Sequence, residues 1–162
     1  EGVGILDVGC GYGGLQNHLM GKVKNLSYKG IDISEEMIRL AKEKNPQIDF
    51  ITGDYLETTF KEKFDYIICN GILTQKLDAS LLEMETYFKK VVKKMFHESH
   101  VGCCFNIMST RVNFFSQNLF YRHPSEILSY CLSEITPHVK INHAYGLYEY
   151  TVYLYKEAIA SL

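Results

Sequence analysis

The sequence has little proline, three residues in 162, and no internal repeat, low-complexity tract or Pro/Ser/Gly linker that would divide it. At about 100–200 residues per domain, one domain spanning 1–162 is expected. No apolar run approaches the roughly 18–20 residues that cross a bilayer, so a spanning helix is excluded. No charge sign dominates either. Lys and Arg number 17 against 19 Asp and Glu, a formal charge of −2. That balance supplies no broad positive field for nucleic acid or an anionic membrane. The five cysteines are odd in number and form no CxxC, which argues against a disulfide framework or a four-thiolate zinc site. A cytoplasmic, reducing setting is the simplest one. The chain also lacks an initiator Met, a signal peptide and a transit peptide, and its first strand pattern begins almost at once. It reads as part of a longer protein.

What is present is a globular composition, 46% hydrophobic and 22% charged, in which short apolar runs alternate with amphipathic stretches. Gly4–Val8 predicts a first strand running into glycines, and Gly14–Met20 a helix. Tyr28–Ile33 predicts a second strand. Ser34, followed by Glu35 and Glu36, starts a helix, because the Ser caps orphan N–H groups and the acids suit the positive helix end. Asn45-Pro46 stops it. Strands are expected at Ile48–Ile51, Phe64–Cys69 and Val101–Met108. Leu81, Leu82, Phe88, Val91, Val92, Met95 and Phe96 recur at helical spacing. The lysines at 89, 90, 93 and 94 on that helix read as a solvated face rather than a nucleic-acid patch. Ile127 to Ile135 mark another helix, ended by Pro137. Two last strands, Val139–His143 and Gly146–Tyr155, have a short link, which joins antiparallel neighbours. The fold class is therefore α/β, a mostly parallel sheet closed by an antiparallel hairpin.

The segment richest in chemistry is Ile5-Leu6-Asp7-Val8-Gly9-Cys10-Gly11-Tyr12-Gly13-Gly14. Gly9, Gly11 and Gly14 fit G-x-G-x-x-G between a strand and a helix, where glycines permit a tight turn and close approach of a ligand. A plain tight turn has the same signature. Asp32 ends the second strand roughly 20 residues beyond the glycines, the place for an acid that binds ribose hydroxyls. Any adenosine cofactor, NAD included, satisfies that much. Asp7 is harder to fit to NAD: a carboxylate in a buried strand needs a cation or N–H donors, and a pyrophosphate beside it makes matters worse. A ligand with a sulfonium and an ammonium group makes it useful.

Asp7-Val8-Gly9-Cys10-Gly11 resembles motif I of the class I S-adenosylmethionine-dependent methyltransferases. Gly30-Ile31-Asp32-Ile33-Ser34 is similar to their second motif and Phe50-Ile51-Thr52-Gly53-Asp54 to their third. Phe64-Asp65-Tyr66-Ile67-Ile68-Cys69-Asn70-Gly71 resembles the fourth, and Tyr148-Glu149-Tyr150-Thr151-Val152-Tyr153 the last strand. The resemblance covers almost the whole chain, in the family's order. It implies a Rossmann-like open sheet of seven strands in the order 3-2-1-4-5-7-6, with helices on both faces. It also implies that the family's usual N-terminal helical segment is missing here.

The resemblance further implies roles. Asp7 would fix the methionine end of S-adenosylmethionine, while Gly9, Cys10 and Gly11 bring backbone close. Asp32 would take the ribose hydroxyls, and Ile33 an adenine face. Asp54 would accept from the adenine amino group, with the Tyr55 N–H for a ring nitrogen. Asn70 and Gly71 would meet the ammonium group or the acceptor. Asp54 also reads as a turn residue, Asn70 as a strand cap, and Cys10 as a small packing residue. The reaction implied is in-line methyl transfer, leaving S-adenosylhomocysteine. No catalytic residue stands out; His123, His143 and Tyr145 are the candidates for a base. Asn70-Gly71-Ile72-Leu73 departs from the Asn-Pro-Pro-Tyr of nucleic-acid amine methyltransferases, so no nucleic acid and no membrane partner are expected. Phe114, Phe115, Phe120 and Tyr121 point to a small acceptor that is partly apolar or aromatic. His97-Glu98-Ser99-His100 lacks evident partners, and no metal is expected. The readings left beside methyl transfer are an NAD-linked oxidoreductase domain and a non-catalytic module binding S-adenosylmethionine or S-adenosylhomocysteine. The oligomeric state is not legible.

Overall fold

The structure, a computed structural model, describes residues 2–159. The chain alternates strand and helix: β1 (Val3–Val8), α1 (Gly14–Leu19), β2 (Leu26–Asp32), α2 (Glu35–Lys44), β3 (Asp49–Thr52), β4 (Phe64–Cys69), α3 (Leu81–Glu98) and β5 (Ser99–Ser109). It continues through β6 (Tyr121–Arg122), α4 (Pro124–Glu134), β7 (Val139–Asn142) and β8 (Glu149–Tyr155). A single sheet runs β3-β2-β1-β4-β5-β8-β7. All neighbours on that path are parallel except β8, which lies antiparallel between β5 and β7. This is the expected order with one addition. The short β6, not foreseen in the seven-strand reading, pairs parallel with the end of β5 at Met108–Ser109. It turns the last two strands into β7 and β8. A second departure is the start of the closing strand: Gly146–Tyr148 form a bend, and pairing begins at Glu149.

Local sequence chemistry accounts for the boundaries. Ser34 Oγ accepts the Met37 N–H at 3.3 Å, as anticipated. Ser80 and Glu83 form a reciprocal capping box at the start of α3, with bonds of 3.2 and 2.8 Å. Alternation along each strand sends side chains to two cores. The larger lies under α3 and α4 and joins Leu6, Val8, Ile67, Phe105, Tyr150 and Val152 to Phe88, Met95 and Ile127. The smaller lies under α1 and α2 and contains Ile5, Cys10, Tyr28, Ile38, Ala41 and Phe50. Helices thus cover both faces. Of the α3 lysines, Lys89 and Lys94 pair with Glu85 and Glu98 one turn away, and Lys93 reaches Glu134. They are a solvated, ion-paired face.

Phe88 is the centre of the larger core: fully buried, edge-on to Phe105 at 5.5 Å and close to Phe120 at 6.2 Å. Phe120, anticipated with the acceptor-side aromatics, belongs to this core instead. Its backbone is held by the Thr74 carbonyl, which pulls the ring inward. Phe88→Ala is expected to lose about 3–5 kcal/mol through lost contacts and a residual cavity, read as a lower midpoint in urea unfolding with unchanged slope.

Candidate active site

The parallel strands end together, and the turns leaving β1, β2, β3 and β4 meet at one edge of the sheet. After β1, the chain turns through Gly9, Gly11 and Gly13, with φ of 75°, 52° and 82°. Those left-handed values favour glycine. Gly13 rather than Gly14 is the third such position; Gly14 is already the first residue of α1. At Gly9 a Cβ would stand 2.4 Å from Ile72 Cγ2, whereas at Gly11 it would meet nothing within 4 Å. The loop is therefore packed at its base and open at its crest.

Asp32 fixes that crest. Its Oδ2 accepts the Gly11 N–H and its Oδ1 the Ser34 N–H, both at 2.9 Å. A carboxylate has about four acceptor positions, so two remain for other donors. Gly9 and Cys10 also donate to the Ile31 carbonyl, at 2.8 and 3.1 Å. Cys10 itself is buried, and its Sγ fills the space above Gly30. Burial pushes its thiol up to about 12, so it is a packing residue and not a nucleophile.

Two clefts open at this edge and share Gly9. One, of about 160 Å³, is lined by Val8, Gly9, Asp32, Ile33, Asp54 and Tyr55 together with Ile72 and Tyr87. Ile33 is 74% exposed beside it, an apolar side chain with no cover. Asp54 stands at the same edge. It lines the cleft, and it opens a turn, its Oδ1 accepting Leu56 N–H at 2.8 Å. The Tyr55 ring is buried and anchored by its hydroxyl to Glu98 at 2.9 Å, while its own N–H has no partner among the described residues. That anchor, and Lys94 at 2.8 Å, occupy the Glu98 carboxylate of the His97–His100 segment.

The other cleft, of about 430 Å³, is lined by Asp7, Gly9, Cys10, Gly11, Tyr12, His18 and Asn70, among others. Asp7 is 3% exposed, and among the described residues the Tyr28 hydroxyl is the one donor to it. Desolvation raises its carboxyl from 3.8 to about 6, against the lowering effect of that hydroxyl; the nearby Asp32 charge adds to the rise. An anion so poorly compensated at neutral pH marks a place for a cation.

Of the anticipated cofactor residues, nine line one cleft or the other: Asp7, Gly9, Cys10, Gly11, Asp32, Ile33, Asp54, Tyr55 and Asn70. Gly71 lines neither. It has φ of 109° and donates its N–H to Asn106 Oδ1 at 2.7 Å. The three base candidates also lie elsewhere. His123 caps α4, with Nδ1 accepting the Ser125 N–H at 3.2 Å. His143 packs on the Tyr150 ring at 5.5 Å, and the Tyr145 hydroxyl is bonded to Thr151 at 2.9 Å. Phe114 and Phe115 are exposed in the loop after β5, Phe115 edge-on to Tyr121. Tyr28, Ile72, Tyr87 and Asn106 were not singled out from sequence. Ile72 follows the fourth motif directly and Tyr28 lies one strand over from Asp7; Tyr87 carried no signal beyond helical periodicity.

A family model described as a methyltransferase domain matches residues 5–94, more than half of the chain. The chain belongs to that family. The class I S-adenosylmethionine-dependent methyltransferase resemblance therefore stands, and this methyltransferase has a relative along most of its length. It is 29% identical over 157 residues to the Mycobacterium tuberculosis protein named "Putative methyltransferase Rv1506c", covering 94% of this chain and 92% of that one. A malonyl-acyl-carrier-protein O-methyltransferase from Priestia megaterium is 36% identical over 71 residues, 43% of this chain and 26% of its own. In fold, the methyltransferase matches magnesium protoporphyrin IX methyltransferase from Synechocystis PCC 6803 with bound SAH. The TM-score is 0.72 at 16% identity, over 96% of this chain and 75% of that one. No helix among the described residues is long and apolar enough to cross a membrane.

The raised Asp7 carboxyl has a consequence for stability. The folded state holds this proton more tightly than the unfolded chain does. Stability contributed by the site is therefore greatest below pH 3.8 and falls as pH rises to about 6. At about 1.4 kcal/mol per pH unit, the cost at neutral pH is on the order of 2–3 kcal/mol. Asp7→Asn removes it. The ligand-free variant is expected to be more stable than the wild type at pH 7.5, with the gap shrinking by that amount at pH 4, in parallel urea titrations at the two pH values.

Proposed function

We propose that the two clefts together hold S-adenosylmethionine and that the protein transfers its methyl group to a small-molecule acceptor. The observation that carries this reading is the pairing of unmet groups at the edge of the sheet. Asp7 is a buried carboxylate without a cation, Asp32 keeps two acceptor positions, and Tyr55 offers a free N–H. The ammonium, ribose and adenine parts of this one cofactor supply the partner for each. In this reading Asp7 and Asn70 hold the methionine end, Gly9, Cys10 and Gly11 bring the loop backbone to it, and Asp32 binds the ribose. Ile33 and Tyr87 flank the adenine, while Asp54 and the Tyr55 N–H take its polar edge.

When bound, S-adenosylmethionine supplies an electrophilic methyl carbon, leaving S-adenosylhomocysteine as product. The protein's own part is position and charge. Gly71 is tied to Asn106 beside Asn70, so the β4 turn is fixed where acceptor and methyl group must meet. Asp7 places its negative charge at the end where the cofactor is cationic. An NAD site asks the opposite, a pyrophosphate beside a carboxylate that already resists ionisation. The slight overall negative charge and the apolar Phe114 and Phe115 beyond β5 favour a small, partly apolar acceptor over a nucleic acid. Five free thiols, four of them buried, suit a reducing cytoplasm.

Isothermal calorimetry tests the cofactor. S-adenosylhomocysteine is expected to bind the wild type, and Asp32→Ala to weaken it by about 1–3 kcal/mol, or roughly fivefold to 150-fold. Both the ribose acceptor and the tether on Gly11 are lost in that variant. Micromolar binding of NAD without binding of S-adenosylhomocysteine would overturn the assignment. S-adenosylhomocysteine release with an acceptor library then separates an enzyme from a module that only binds.

A further inference from the structure

A line of polar side chains crosses the sheet at its ligand edge, on the face that carries α1 and α2. The strand register places its members. Asp7 of β1 stands opposite Ile68, and Cys69 opposite Phe105, so the next residues along, Asn70 and Asn106, come level. Asn106 pairs in turn with Thr151 of β8, and Glu149 lies one same-face position further out, opposite Met108. Because β8 is antiparallel, its first residue lies at the same edge as the last residues of the parallel strands.

Asn106 joins this line together. It is 7% exposed, its Oδ1 accepts the Gly71 N–H at 2.7 Å, and its Nδ2 donates to Glu149 Oε2 at 2.8 Å. The amide has no freedom to flip, since a backbone N–H only donates and a carboxylate only accepts. Glu149 is half-buried. Among the described residues it forms no ion pair, and its second oxygen accepts from no group. The neighbouring Tyr145 hydroxyl is already bonded to Thr151. One oxygen of this half-buried carboxylate is pinned by a buried amide, and the other stays open at the ligand edge, free to accept from a bound molecule. It sits across Asn106 from Asn70 and Gly71, on the side away from the glycine loop.

We propose that Glu149 is the acceptor-facing carboxylate of this enzyme, and that the acceptor is a protic one, an amine or a hydroxyl compound. This assignment rests on the methyl-transfer reading above. Glu149 takes a hydrogen bond from the N–H or O–H of the atom to be methylated and then receives its proton. The acceptor heteroatom forms its new bond to the methyl carbon with its own lone pair. The electron pair of the broken carbon–sulfur bond stays on sulfur, and the heteroatom's proton passes to Glu149 and on to water. Asn106 is the positioning residue, holding one carboxylate oxygen so that the other faces the acceptor. Glu149 thus takes the role weighed for His123, His143 and Tyr145.

The test uses the full chain with three probes, 2-phenylethylamine, 4-ethylphenol and phenylacetate, the last having no proton to lose at the reacting oxygen. The wild type is expected to release S-adenosylhomocysteine with the amine or the phenol and not with phenylacetate. Glu149→Gln should lower kcat for that probe at least a hundredfold, with Glu149→Asp recovering part of it. Calorimetry on the S-adenosylhomocysteine-loaded protein should show the same probe bound at least tenfold more weakly by the Gln variant. Affinity for S-adenosylhomocysteine itself should stay within twofold, which also reports that the variant is folded. Turnover or probe binding by Glu149→Gln within threefold of wild type overturns the proposal. So does preference for phenylacetate, or failure of the loaded wild type to bind either protic probe. A wild type that does not bind S-adenosylhomocysteine at all defeats the underlying methyl-transfer reading, and this assignment with it.

Discussion

The carboxylate of Asp32 holds two backbone N–H groups that belong to different turns, Gly11 in the loop after β1 and Ser34 at the start of α2. Each bond is charge-assisted, stronger than one between neutral groups. Together they lock the glycine loop to the end of β2 and set the distance between the two clefts. Everything at the ligand edge is measured from that point: the cleft beside Ile33 lies on one side of the tether, and the cleft beside Asp7 on the other. The parallel strands bring the edges together, but the carboxylate decides where the loop stands.

Asp7 shows what the site demands of the fold. A buried carboxylate held chiefly by one tyrosine hydroxyl is a local defect in an otherwise well-packed strand. Ile5, two residues back on the same face of β1, is a buried apolar residue, so the surroundings of this face suit an apolar side chain. The acid carried there instead suits the proposed cofactor, whose cationic end would compensate the charge. At the far end of the same edge, half-buried Glu149 has Asn106 as its one partner among the described residues. In the proposed reading these two carboxylates, with two asparagines between them, mark the ends of the region where donor and acceptor groups would meet.

The sequence made the cofactor half of this arrangement readable because its signals are local. Glycines at a strand end, an acid closing β2 and Ser34 before two glutamates each have a meaning within a few residues, and each stands where it was expected. The sheet order followed from the family resemblance, and only the two-residue β6 was added, since so short a strand has no periodicity to detect. The other half was hidden because it depends on register. Asn106 reads as a polar interruption in an apolar strand, and Glu149 as the polar half of an alternating one. Their proximity to Gly71 is a matter of which residues come level across β4, β5 and β8. Histidines drew attention as bases by residue type, yet His123 is spent on a helix cap. Phe120 was read with its loop neighbours, although its backbone bond to Thr74 turns it into the core.

The tether on Gly11 also bears on how fast a ligand can be captured. A glycine-rich turn left to itself samples many conformations, and a ligand meeting it would have to wait for the rare one that fits. Here the crest of the loop is fastened by bonds that are internal to the protein. Little chain entropy is left to lose on association, and encounter need not be followed by a slow ordering step. The loop forms a fixed saddle, a geometry in which differences in affinity are expected to lie in departure more than in arrival.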